Sequence, residues 1–273
     1  MPLNLVLQHP NLPSCRLDFL TAERADGNVL RLEVADGFTL SAGQQAELDA
    51  QQIDAALLPP VRFADLGLIV SDMDSTLITI ECIDEIAAGC GLKEQVAEIT
   101  EQSMRGELDF EQSLRRRVSL LAGLNEGVLQ EVYDNVLQLS EGAEYLLEEC
   151  RRHQVRFMLV SGGFTFFTDR LKQRLGLDYA YANVLESENG VLTGRLQGRI
   201  IDAQAKADLL EQHRRALGLH TAQVLAMGDG ANDIPMLQAA GFGIAYRAKP
   251  KTRKHADICI NHGGLDTVRR CFL

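Results

Sequence analysis

Hydrophobic positions follow two regimes along this chain. In the first 60 residues they form short stretches, residues 3–7 and 29–34, that read as strands. Residues 41–58 read as one helix with Ser41 as its N-cap. Pro59-Pro60 interrupts any helix. It marks a boundary between a small α+β N-terminal domain, residues 1–62, and a second domain, residues 63–273. From residue 66 the apolar runs become nearly continuous, at 66–70, 155–160, 224–227, 242–245 and 258–260. Such runs suit strands covered on both faces. Helical patterns at 143–153, 166–175, 205–217 and 233–240 separate them. This alternation predicts a doubly wound, Rossmann-like parallel α/β sheet.

Two stretches interrupt the alternation. Residues from about 80 to 140 are helix-rich, lack a strand pattern and follow directly on the first buried run. They predict a helical cap inserted over a site. Between residues 184 and 201, Asn189-Gly190 lies between two β-like stretches and reads as a hairpin turn.

Open α/β sheets bind ligands beyond the carboxyl ends of their strands, so the residues after each run carry the candidate chemistry. Asp72-Met73-Asp74-Ser75-Thr76 follows the first run, Ser161-Gly162-Gly163 the second, and Gly228-Asp229-Gly230-Ala231-Asn232-Asp233 the third. Lys206 lies in the helical stretch before that third run. Each cluster alone is ordinary; a D-x-D pair is usually a solvated loop and a single lysine a solvated helix face. Together, each after a buried strand, they converge on one crevice. Asp72 and Asp74 repel each other unless a cation lies between them, and Asp229 adds a third carboxylate. An oxygen-only set of Asp72, Asp74 and Asp229 with room for water and phosphate suits Mg²⁺. A carboxylate nucleophile yields an acyl-phosphate. Asp72 is therefore the expected nucleophile and Asp74 the acid that protonates the leaving alkoxide and then activates water. Ser161, the Gly162-Gly163 turn with its backbone N–H groups, and Lys206 are expected on the phosphoryl oxygens.

Composition narrows the partners. The 27 basic and 38 acidic residues give a formal charge of −11, the wrong sign for a general binder of nucleic acid or anionic membranes. An anionic small molecule then needs a local positive group, which Lys206 and the Gly-rich turn supply. No run approaches 18 apolar residues, and the N-terminus lacks a secretory pattern. Six scattered cysteines without a C-x-x-C pair argue for reduced thiols in a cytoplasmic protein.

The motif string resembles the haloacid dehalogenase superfamily. Asp72 to Thr76 is similar to its D-x-D-x-[TV] motif, Ser161 to the second motif, Lys206 to the third, and residues 228–233 to the fourth. The resemblance covers residue 66 to the C-terminus. The longer string Asp72-Met73-Asp74-Ser75-Thr76-Leu77, then Glu81-Cys82-Ile83-Asp84-Glu85-Ile86-Ala87, resembles its phosphoserine phosphatase branch. That resemblance implies an aspartyl-phosphate route from O-phosphoserine to serine, the last step of serine biosynthesis. It implies that Glu81 binds the substrate ammonium, Arg117 its carboxylate, Met104 and Phe110 line the cap, and Asn232 holds the phosphate-site network. The N-terminal segment resembles a small domain that precedes the catalytic domain in many bacterial members, either amino-acid sensing or a packing and homodimerisation appendage. Two other readings stay open at the level of sequence. One is a phosphatase or phosphotransferase for another small phosphomonoester, and the other a regulatory binding protein with vestigial catalysis.

Overall fold

The computed structural model describes residues 3–15, 17–19, 27–35, 37–105 and 107–273, with Met104 described by its backbone alone. Strand β1 (Leu3–Gln8) runs between β2 (Val29–Val34) and β3 (Asp54–Leu58), antiparallel to both. Helix α1 (Ala42–Ala50) is capped by Ser41, whose side chain accepts from the Gln44 N–H while Gln44 returns the bond to the Ser41 N–H. The expected helix over residues 41–58 thus ends early. Gln52 takes a left-handed conformation with φ 56°, and residues 54–58 leave as a strand. Ala55 and Ala56 favour a helix, but backbone pairing to β1 and alternating burial override that preference.

This small sheet buries both faces. Leu5 and Leu7 pack with Leu48 and Ile53 under α1, whereas Val6, Ala56 and Leu58 join the main core of the chain. A polar clamp reinforces the second contact. Buried Asp54 accepts from the backbone N–H of Asn261 at 2.7 Å, His262 at 3.2 Å and Gly263 at 2.7 Å.

The larger sheet is built around β4 (Leu68–Ser71), which is buried throughout. On one side β4 pairs in parallel with β5 (Arg156–Phe164), and β5 with β6 (Tyr179–Glu188). Strand β6 then turns through Asn189 and Gly190, both at positive φ, into antiparallel β7 (Val191–Gln197). Positive φ at both central residues is what a tight hairpin turn requires, and Asn-Gly supplies it. The hairpin was legible, but β6 starts at Tyr179 and carries the main sheet as well. On the other side β4 pairs with β8 (Val224–Gly228), followed by β9 (Phe242–Tyr246) and β10 (Ile258–Ile260). The strand order β10-β9-β8-β4-β5-β6-β7 reverses direction of growth at β4 and β8, which places the crevice above their carboxyl ends.

Alternation along these strands feeds two helical layers. Ile69, Leu159, Leu225 and Met227 face a core shared with α6 (Ala143–His153) and α7 (Thr165–Leu175). Leu68, Val70, Val160 and Ala226 face a second core with Leu210 of α8 (Ala203–Ala216) and Met236 of α9 (Ile234–Ala239). Two short helices, α10 (Pro250–Arg253) and α11 (Asp266–Arg270), follow β9 and β10. The inserted segment is helical as expected, comprising α2 (Cys82–Gly89), α3 (Lys93–Met104), α4 (Phe110–Ser119) and α5 (Gly127–Asn135). The β6–β7 hairpin braces it, with backbone bonds from Gly123 to Leu192 and from Glu126 to Gly190. Among the described residues no helix is long and apolar enough to cross a membrane.

Replacing Asp54 by Ala should leave three backbone N–H groups without their acceptor. A loss of about 3 kcal/mol is expected, seen as a melting temperature lower by about 6–12 °C, with catalytic residues untouched. A change of less than about 1 °C would show that the clamp contributes nothing.

Candidate active site

Strand β4 ends at Ser71, and the next residue, Asp72, is fixed by its own N–H donating to the Met227 carbonyl of β8 at 3.0 Å. Its carboxylate Oδ1 accepts from the Met73 N–H at 2.7 Å and from Lys206 Nζ at 2.7 Å. The Lys206 ammonium also donates to Asp233 Oδ1 at 2.7 Å. This Asp72–Lys206–Asp233 triplet is closed to solvent, with Lys206 only 1% exposed. Burial opposes the charge on Lys206, but Asp233 and Asp72 overcome it and hold the ammonium above its ordinary pKa. Burial first, then the charge of Asp233, raises Asp72 well above the carboxylate range, and Lys206 works against both.

Asp233 completes its coordination by accepting from the Gly230 N–H at 3.0 Å. That loop requires Gly228, because a Cβ there would fall within the Asp233 carboxyl group. Carboxylate oxygens of Asp72, Asp229 and Asp233 lie within 4.8 Å of one another. Asp229 is pushed up to about 6 by burial and by the charge of Asp233. Three crowded carboxylates offset by one ammonium form an oxygen-only donor set that fits a divalent cation. The carboxylate of Asp74 is not part of this group.

Asp74 is turned the other way. Its Oδ1 accepts from the Cys82 N–H at 2.9 Å and its Oδ2 from Ser161 Oγ at 3.1 Å. Burial raises its pKa against those bonds, which favours the protonated acid. The turn that aims it, residues 73–77, holds Ser75 at φ 54°, a strained conformation for a residue with a side chain.

Ser161, Gly162 and Gly163 occupy a register shift in β5 between Val160 and Phe164. A bulge redirects side chains at a sheet end. Ser161 Oγ accepts from the Gly163 N–H at 2.8 Å while donating to Asp74. A Cβ on Gly163 would stand 2.8 Å from Asp74 Oδ2. Asn183 of β6, buried, holds the bulge, its side chain donating to the Gly162 carbonyl at 2.8 Å and accepting from the Ile201 N–H at 2.8 Å.

A cavity of about 610 Å³ opens over these groups, between the sheet and the cap. Asp72, Asp74, Gly162, Gly163, Asp229 and Asn232 line its floor, and Glu81, Phe110 and Arg117 line it from the cap side. Of three consecutive arginines, Arg115 pairs with Glu111 and Arg116 reaches Gln102, whereas Arg117 turns inward. Its Nε is buried without a hydrogen-bond partner among the described residues. Burial lowers the Arg117 pKa, and the charges of Asp84, Glu81 and Asp74 resist that. Glu81 accepts from Ser75 Oγ at 2.7 Å and is raised to about 7, first by enclosure and then by Asp74. The Phe110 ring covers Gly162, 3.1 Å from where a Cβ would stand. Met104 closes α3, but its side chain lies outside the described residues.

Eleven of the twelve expected side chains or turns therefore converge on this crevice, Met104 being the one left undescribed. Two residues went unread. Asp233 stands four positions after Asp229, a spacing that a turn brings together, yet it reads as the start of a helix. Asn183 has no sequence signal, since its role depends on a bulge in a neighbouring strand.

Comparison with known proteins places this geometry. The profile of the haloacid dehalogenase-like hydrolases matches residues 69–238. The chain is 47% identical over 230 residues to the phosphoserine phosphatase of Polaromonas sp. (strain JS666), an alignment spanning 82% of this chain and 98% of that one. It superposes on the unliganded probable phosphoserine phosphatase of Vibrio cholerae with TM-score 0.83 at 38% identity, covering 98% of this chain and 85% of the other. A structure described as the phospho-aspartyl intermediate analogue of phosphoserine phosphatase matches with TM-score 0.71 at 41% identity, covering 76% of this chain and 99% of that one.

Replacing Lys206 by Met should strand two buried carboxylates. In a chelator-treated sample a loss of about 3–5 kcal/mol is expected, read as a lower urea midpoint. A midpoint equal to that of the unsubstituted protein would show that the triplet is not the anchor of this site.

Proposed function

We propose the following reaction for this chain, which belongs to the haloacid dehalogenase-like hydrolase family: hydrolysis of O-phospho-L-serine to L-serine and inorganic phosphate. The phosphoryl group is carried transiently by Asp72. One observation supports this above the rest. A buried carboxylate anchored by Lys206 shares a single cavity with an unpaired arginine Nε–H and a glutamate on the cap. Phosphoserine carries a phosphate, a carboxylate and an ammonium, and these three groups answer them in turn. The names of the relatives support the same substrate.

Asp72 attacks through the oxygen not committed to Lys206 and Met73. Its bond to phosphorus forms as the bond from phosphorus to the serine oxygen breaks. Asp74, whose protonated form burial favours, gives its proton to the departing alkoxide. As a carboxylate it then takes a proton from water, whose oxygen displaces Asp72 from phosphorus. Ser161, the Gly162-Gly163 turn and Asn232 bind phosphoryl oxygens. Lys206 orients Asp72 and favours its ionised form against the burial that opposes it. Asp72, Asp229 and Asp233 would hold Mg²⁺, which would supply the positive charge that the crowded carboxylates and an incoming phosphate dianion require. The cap excludes water until serine leaves, with Phe110 over the phosphate turn. Among the described residues none before 63 lines the cavity, and the small sheet is held against the catalytic domain by the Asp54 clamp and by Val6, Ala56 and Leu58 in the shared core.

Phosphate release from L-phosphoserine, with and without EDTA, tests the assignment. Activity is expected only with the divalent cation, and Asp72→Asn should abolish both turnover and acid-stable labelling by ³²P. Full activity in that variant would remove Asp72 as nucleophile.

Glu81 gives a pH signature. A carboxyl group raised to about 7 is neutral below that pH and charged above it. Since kcat/KM reports the free enzyme, its value for phosphoserine should fall about tenfold per pH unit below ~7, relative to a phosphate ester of the same shape lacking the amine. Parallel profiles for the two esters would take the ammonium away from Glu81.

A further inference from the structure

The charges at the site do not close, and the shortfall points to a residue outside the sequence motifs. This argument rests on the phosphatase reading above. Lys206 has both carboxylates at 2.7 Å, which leaves one N–H for anything else. Asp72, Asp229 and Asp233 balance Lys206 together with one divalent cation and leave no net positive charge. Arg117 faces the cavity from the cap, among Asp84 and Glu81. A phosphate dianion arriving on the floor still needs a cation there.

The turn after β9 supplies one. Arg247 adopts φ 44°, bending the chain out of the sheet, and Lys249 caps α10 ahead of Pro250. The Lys249 N–H donates to the Asp229 carbonyl at 3.2 Å, which ties this turn to the carboxylate loop. The side chain lines the cavity beside Asn232 and Gly230 and forms no ion pair among the described residues. Lys251 also lines the cavity, but its backbone makes no such bond to the loop.

We infer that Lys249 is a phosphate-binding residue, the free cation that meets the phosphoryl group on entry and holds inorganic phosphate before release. Its ammonium is solvated while the site is empty and becomes a charge-assisted donor when a dianion occupies the floor.

The test is calorimetric titration of the Mg²⁺-loaded protein with orthophosphate, alongside product inhibition. Lys249→Met should weaken orthophosphate binding and raise the inhibition constant about tenfold. Lys249→Arg should keep most of the affinity, Lys251→Met should stay within about twofold, and the exposed position predicts unchanged melting temperatures in all three. Wild-type affinity in a folded Lys249→Met protein would overturn the inference while leaving the phosphatase assignment standing. Equal losses for Lys249→Met and Lys251→Met would overturn it too, as a general rim effect. Failure of the unsubstituted protein to bind orthophosphate or to hydrolyse phosphoserine would instead sink the reading of the site on which it rests.

Discussion

A buried ammonium between two buried carboxylates sets the terms for the rest of this molecule. Lys206 joins Asp72 at the end of β4 to Asp233 at the start of α9, each at 2.7 Å, in a place solvent does not reach. Charges taken out of water are tolerated only when paired and fully bonded. The sheet, the Gly228 turn and the first turn of α8 therefore have to be rigid and in register, because a small slip would leave one of the three charges alone. The triplet is a constraint on folding before it is a device for catalysis, and it still carries excess negative charge that only a cation or a proton can relieve.

The same crevice holds two neighbouring aspartates in different surroundings. Asp72 faces Lys206 and the acidic group, whereas Asp74 is turned by the strained Ser75 toward Ser161 and the Cys82 N–H. Burial raises the pKa of both, but an ammonium opposes the shift at Asp72 whereas neutral donors oppose it at Asp74, so the two neighbours sit in distinct electrostatic surroundings. The second-layer bonds matter here as much as the reacting groups. Asn183 holds the bulge that presents Gly162 and Gly163, and without it the donors at the end of β5 would point along the strand instead of into the cavity.

The cap covers the crevice and brings Glu81, Phe110 and Arg117 to its wall. Its two ends are joined around an antiparallel bridge between Ile78 and Leu139, with the Thr79 N–H donating to the Gln138 carbonyl and the Ser140 N–H to the Leu77 carbonyl, and the β6–β7 hairpin braces it from the opposite side. The brace keeps α4 oriented so that Arg117 alone of its three arginines enters the cavity. An acidic chain can thus take an anionic substrate, since the selectivity lies in a few enclosed cations and not in the overall charge.

The sequence by itself determined the strands, the cap and most of the chemistry. Near-continuous apolar runs at β4, β5 and β8 suit strands covered on both faces, and polar clusters directly after such strands meet at their carboxyl ends, so Asp72, Ser161 and Asp229 were legible as one site. Asn-Gly likewise fixed the hairpin turn. Local pattern misled at residues 54–58, where alanine-rich helix propensity lost to pairing with β1, and it carried no reading at Tyr179–Asn183, whose place in the sheet depends on β5. Only the tertiary structure decided that Asp233 joins the acidic group, that Arg117 and not its neighbours faces inward, and that Asn183 and Lys249 belong near the site. Periodicity reports how a residue sits on its own element. Which charge ends beside which is settled by contacts between elements far apart in the chain, and no local signal carries that information.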